Sequence, residues 1–167
     1  MQGNVARSTT ILKGLNKKDT STYTQILYQL VFSTWNHERT IHKKGQESLY
    51  KYISGILKNK KCHLYQIGGI EDHIHIVTHV HPSIGPASLI KDIKLASSSL
   101  IKENHVFNYF NGWQDGYGAF TYSIKDKDRL IEYVKKQKEH HKIQTFREEF
   151  IELLKEHGIV HNEKYLL

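Results

Sequence analysis

Two histidines separated by one aliphatic residue stand in the run Glu71-Asp72-His73-Ile74-His75-Ile76. The run reads as a charged turn entering a strand. In extended chain alternate side chains share a face, so His73 and His75 project together while Ile74 and Ile76 project to the other side. Neutral imidazole ligates divalent ions, and a pair at i and i+2 needs one or two further donors to hold one. Ordinary strand histidines are the competing reading, since the chain has twelve. About sixty residues on, Tyr133 and Gln137 lie four apart in a helical segment. At 3.6 residues per turn they are roughly 40° apart, beside Leu130 and Val134, and share an edge of its inward face. Glu132, Lys135, Lys136 and Glu139 take the other side.

The elements that must position these residues follow from periodicity. Tyr23 to Phe32 alternates as a first strand, with Ile26, Tyr28, Leu30 and Phe32 on one face and Gln25 and Gln29 on the other. Leu49, Ile53, Ile56 and Leu57 fall at helical spacing. His63 to Gly69 forms a second strand, joined by a tight connection to the histidine strand as an antiparallel hairpin. Pro86 opens a helix that carries Leu89, Ile93, Ala96 and Leu100 to about Glu103. Ala119 to Ile124 is a fourth strand. Asp126 is placed to cap a helix over Lys127 to about His141, and a last helix runs from about Thr145 to His157. The order β-α-β-β-α-β predicts an α+β, ferredoxin-like domain with an antiparallel sheet and helices on one face. The opposite face is left for function or for a second subunit. Residues 1–20 show no sustained period and read as a loosely held N-terminal extension, with 21–167 as a single domain.

Composition narrows the partners. A formal charge of +7 favours polyanions, phosphate backbones among them. Lys91 and Lys94, with Ser97 to Ser99, lie on or near the outer surface of the second helix, where they form a solvated face or contact phosphates. The aromatic, turn-rich stretch from Asn104 to Gly118 holds Trp113 and Tyr117, which pack on a partner or stack on bases. No apolar run reaches membrane-spanning length. One cysteine, Cys62, and the lack of an export-signal pattern point to a cytoplasmic location.

His73-Ile74-His75 has the His-hydrophobic-His form of the HUH nucleases, and Tyr133-Val-Lys-Lys-Gln137 resembles the tyrosine helix of single-tyrosine insertion-sequence transposases, the TnpA-like and REP-associated group. Tyr23-Thr24-Gln25, Glu71 to His75, Trp113 to Phe120 and the Tyr-x-x-x-Gln helix recur there in the same order. The likeness runs from about Ser21 to the end. It implies an endonuclease and strand transferase acting on single-stranded DNA at hairpin-bearing ends. His73, His75 and Gln137 would bind Mg²⁺ or Mn²⁺, a ligand set without a carboxylate. Tyr133 would attack the scissile phosphate, giving a 5′-phosphotyrosine and a free 3′-hydroxyl. Lys91, Lys94, Trp113 and Tyr117 are the candidate DNA contacts. A homodimer is expected, in which the tyrosine helix acts in cis or in trans, and no nucleotide cofactor is needed. A domesticated relative that processes hairpins without moving would use the same residues. A non-enzymatic ferredoxin-like nucleic-acid binder would have no reason to join the histidines to Tyr133 and Gln137. A two-histidine RNA phosphoesterase would need a second His-x-Thr or His-x-Ser motif, which His42-Lys43-Lys44 and His63-Leu64-Tyr65 do not supply.

Overall fold

The computed structural model describes residues 23–162 together with 164 and 166. The extension expected over residues 1–20 lies outside them. Four antiparallel strands form the sheet: β1 (Leu27–Ser33), β2 (His63–Gly69), β3 (His73–His79) and β4 (Gly118–Tyr122), in the order β2-β3-β1-β4. The helices α1 (Lys43–Asn59) and α2 (Pro86–Glu103) connect β1 to β2 and β3 to β4. This is the ferredoxin-like arrangement. β1 begins four residues later than Tyr23, because Ile26 gives its N–H to Nδ1 of His79 at 3.1 Å instead of to a strand partner.

Alternation sorts the sheet into two different faces. Leu30, Phe32, Ile74 and Ile76 join Leu49, Ile53 and Leu57 of α1 and Leu89, Ile90 and Ile93 of α2 in the main core. On the opposite face Leu27, Val31, Val77 and Phe120 share the surface with Gln29, Ser33, His73 and His75, all of them buried. That face is not left open. It is covered by the chain's own α3 (Lys127–Lys135) and α5 (Phe146–Glu156), through Leu130 and Val134 and through Phe146, Phe150, Leu153 and Leu154. The expected vacancy is therefore filled from within, and among the described residues the edge strands of the sheet are β2 and β4.

Two details set the position of the covering helices. The link after β4 is a short 3-10 turn, Ile124–Asp126, capped by Ser123, whose Oγ accepts from the Lys125 N–H. Asp126, expected to cap the helix, lies in helical conformation and makes no side-chain cap bond. The helix expected to run unbroken to about His141 stops at Lys135, Lys136 adopts φ −92° and ψ 15°, and a separate turn α4 (Gln137–His140) follows. Lys136 shares its N–H between the carbonyls of Glu132 and Tyr133, so the last turn is tightened toward i→i−3 bonding. Among the described residues no helix is long and apolar enough to cross a membrane.

Candidate metal and nucleophile site

The hairpin and the sheet fix the two histidines. At the end of β2 a Cβ on Gly69 would collide with the carbonyl oxygen of His73, so the return into β3 requires glycine. One residue earlier, a Cβ on Gly68 would come within 2.9 Å of the Val134 carbonyl oxygen, and its absence lets α3 lie directly on β2. Both rings are fully buried. They stand edge to face with centroids 5.0 Å apart, and Phe146 stacks on the His73 ring at 4.4 Å.

His73 gives its Nδ1–H to the Asp72 carboxylate at 2.6 Å. This is the orientation in which a carboxylate fixes a metal-binding imidazole. Burial works to raise the Asp72 pKa, but the hydrogen bond and charge of His73 outweigh it and hold it below the ordinary value. The other ring nitrogen, Nε2, lies 3.0 Å from Oε1 of Gln137. His75 presents its Nε2 to the same space, and this atom is buried without a hydrogen-bond partner. Burial lowers the His75 pKa, although Glu149 pulls the other way.

Glu149 supplies what the motifs did not. Buried on α5, it sets Oε2 3.3 Å from His75 Nε2 and 3.6 Å from His73 Nε2. One ligand atom from each of His73, His75 and Glu149 lies within 4.8 Å of the others. A carboxylate therefore faces the two imidazoles, a group that the expected ligation by His73, His75 and Gln137 did not include. Burial opposes its charge, but the imidazoles of His75, His141 and His73 hold its pKa far below the usual carboxylate range. The other oxygen, Oε1, accepts from Gln137 Nε2 at 2.8 Å and from the Tyr133 hydroxyl. Burial first, and then the Glu149 charge and hydrogen bond, push the Tyr133 phenol well above its ordinary value of about 10. His141, also unforeseen, donates Nδ1–H to the Gln144 carbonyl at 2.8 Å and turns Nε2 to Gln137 Oε1 and Glu149 Oε2, each at 3.0 Å. Burial would lower its pKa, but the hydrogen bond and charge of Glu149 raise it.

A sequence signal for Glu149 existed. Phe146, Glu149, Phe150 and Leu153 fall at i, i+3, i+4 and i+7, which puts a carboxylate on an apolar helical stripe. Thr145-x-x-Glu148 is a capping box, with Glu148 N–H donating to Thr145 Oγ1 at 3.3 Å and Thr145 N–H to Glu148 Oε2 at 2.8 Å. This cap fixes where α5 starts, and so which of its side chains face the sheet.

The structure brings His73, His75, Tyr133 and Gln137 together within one chain. It places the other candidates elsewhere. Trp113 is 9% exposed and belongs to the main core, edge-on to Phe32 at 4.9 Å, with its indole N–H donating to Ser97 Oγ at 3.0 Å. Ser97, expected near the surface, is buried and bonds the Ile93 carbonyl. Lys94 donates to the carbonyls of Gln114 and Gly116 at 2.7 and 2.5 Å, so it ties the aromatic loop to α2. Lys91 and Tyr117 are exposed, as is Tyr109 in the same loop.

Residues 22–137 match the model of the IS200-like transposases. The chain belongs to that family. The match ends at Gln137, so the family region holds both histidines and Tyr133 while His141 and Glu149 follow it. No protein of curated function matches this IS200-like transposase. Among solved structures, a candidate transposase from Deinococcus radiodurans R1 is 19% identical, with a TM-score of 0.54, and the alignment covers 73% of this chain and 98% of that one. A REP-associated tyrosine transposase bound to a REP hairpin is 13% identical, with a TM-score of 0.56, covering 72% of this chain and 74% of that one. These two likenesses show the shared fold.

Proposed function

We propose that this transposase cleaves and rejoins single-stranded DNA at hairpin-bearing ends through a 5′-phosphotyrosine, in the cytoplasm, with a divalent ion held by His73, His75 and Glu149. The observation that carries this reading is the convergence of Tyr133 on the same carboxylate that faces both imidazoles. Two imidazoles and a carboxylate suit Mn²⁺ better than Mg²⁺, which prefers oxygen ligands, and Gln137 is the fourth donor within reach. When bound, the ion would polarise the scissile phosphate and stabilise the leaving 3′ oxygen. Tyr133 Oη forms the new bond to phosphorus as the bond to the 3′ oxygen breaks. Glu149 Oε1 stands where the phenolic proton departs, and Gln137 holds that oxygen in place. Because the new ester keeps the phosphodiester's energy, a 3′-hydroxyl attacking it restores a DNA strand without a nucleotide cofactor.

A route for the DNA backbone runs along β2. A groove of about 230 Å³ reaches Gln137 past Gly68, Gly69 and Lys138, and a neighbouring one of about 540 Å³, sharing Tyr50 and Lys138, carries Lys43 and Lys51. Lysines spaced along such a path neutralise successive phosphates. Lys91 and the exposed Tyr117 and Tyr109 are secondary candidates for contact. The decisive assay incubates the protein with Mn²⁺ and single-stranded hairpin DNA from the gene's flanks. A protein–DNA adduct resistant to denaturation is expected with single strands, and neither with duplex DNA nor after chelation. Cleavage that survives chelation, or a cut without an adduct, would refute the proposed chemistry.

We also infer a symmetric homodimer that pairs through the edge strand β4, since the sheet face is already covered and β2 borders the groove for DNA. Sedimentation at micromolar concentration should give twice the chain mass of 19.5 kDa. A monomer throughout that range would count against it.

A further inference from the structure

Gln29 is a polar side chain buried completely at the centre of the sheet, on β1. Its Cα pairs with Val77 and with Phe120, one step along the strands from the Val31–His75 pair, so it lies diagonal to His75 on the site face. Its amide bridges two groups. Nε2 lies 3.0 Å from His75 Nδ1, and Oε1 accepts the Tyr122 hydroxyl at 3.1 Å. In this orientation the amide donates to Nδ1, which must then carry the lone pair, and the imidazole proton sits on Nε2. That proton occupies the atom that faces His73 and Glu149. The bridge is symmetric in its demands, however. Turning the amide by half a rotation lets Oε1 accept from His75 Nδ1–H while Nε2 donates to the Tyr122 oxygen, and every buried polar atom of the amide stays paired. The Nε2 lone pair of His75 is then released into the donor cluster.

The geometry points to Gln29 as a positioning residue that selects the tautomer of His75, its amide accepting from Nδ1–H when a divalent ion is held. This inference rests on the metal reading above. An outer partner of this kind typically changes metal affinity ten- to a hundredfold. Two variants separate orientation from packing. Gln29→Met keeps the volume and removes both hydrogen bonds, whereas Gln29→Glu supplies an oxygen that only accepts and so holds the proton on Nδ1.

The test is calorimetric titration of wild type and both variants with Mn²⁺ alone, joined to long-range ¹H–¹⁵N spectra of His75 without and with Mg²⁺. Gln29→Met should bind Mn²⁺ about ten- to a hundredfold more weakly and Gln29→Glu at least as tightly as wild type. In wild type with Mg²⁺ the His75 proton should sit on Nδ1, a measurement that needs no variant to fold. Equal affinity in Gln29→Met or equal losses in both variants would overturn the role of Gln29 while leaving the metal site standing, and a His75 proton that stays on Nε2 with Mg²⁺ present would overturn His75 as a ligand and this inference with it. A wild type that binds no Mn²⁺ would overturn the metal reading and this inference with it.

Discussion

Tyr133→Phe is expected to abolish the covalent DNA adduct while leaving a folded protein that still binds DNA. The substitution removes one oxygen atom, and no other hydroxyl shares its place against Glu149. Glu149 Oε1 keeps its bond from Gln137 at 2.8 Å, so the carboxylate is not orphaned, and the loss of stability should stay near 1–2 kcal/mol. The rate of adduct formation should fall by at least about 10³-fold, as it does when a covalent nucleophile is removed elsewhere. Tyr122 is the informative control. It also lies on the site face, but its hydroxyl is tied to Gln29, and Gln29 separates it from His75. Denaturing gels with peptide mapping decide the matter: an adduct on Tyr122, or one that survives in Tyr133→Phe, would show that the nucleophile is misassigned.

How much of this site was legible in the sequence depended on whether a side chain's direction follows from local repeat alone. The two-residue period of β3 sufficed to put His73 and His75 on one face, and the helical angle sufficed for Tyr133 and Gln137, which stay together despite the break at Lys136. The β-α-β-β-α-β succession, and with it the ferredoxin-like class, followed from the strand and helix periods and the tight hairpin. What the pattern could not say is how α3 to α5 pack. Glu149 is twelve residues past Gln137, and its proximity to His75 depends on α5 folding back over the sheet, which a local period does not encode. The aromatic loop failed for the opposite reason. Its composition suited either stacking on bases or filling a core, and Trp113 fills the core because Phe32 and Phe110 leave an edge for it beneath α2. Lys94 was read by charge, whereas two backbone carbonyls determine where its ammonium goes.

Glu149→Gln should be the most damaging single change among the proposed ligands, because it alters three things at once with almost no change of shape. First, it removes the anionic donor that faces both imidazoles, and Mn²⁺ affinity should fall by more than about 100-fold, beyond the usual loss for an outer-shell partner. Second, the charge that helps push the Tyr133 phenol upward disappears. Its pKa should drop toward the ordinary value in ultraviolet titration, while burial keeps it somewhat raised. Third, His141 loses the strongest of the partners that raise its pKa, and its titration should move down. The sign of the stability change follows. A folded pKa raised above the unfolded value of about 6.5 stabilises the fold below that pH, and the gain fades as pH rises through the folded pKa. Glu149 itself, with its pKa depressed, stabilises above the unfolded carboxylate range and loses this as pH falls. Wild type and Glu149→Gln should therefore differ most between those two ranges, near pH 5 to 6, where Glu149 and a charged His141 are both present in wild type. Denaturation midpoints across pH check this directly. Equal midpoints there, together with unchanged Mn²⁺ affinity and an unmoved Tyr133 titration, would mean that Glu149 is a buried structural carboxylate and that the ion, if one is used, is held by other groups.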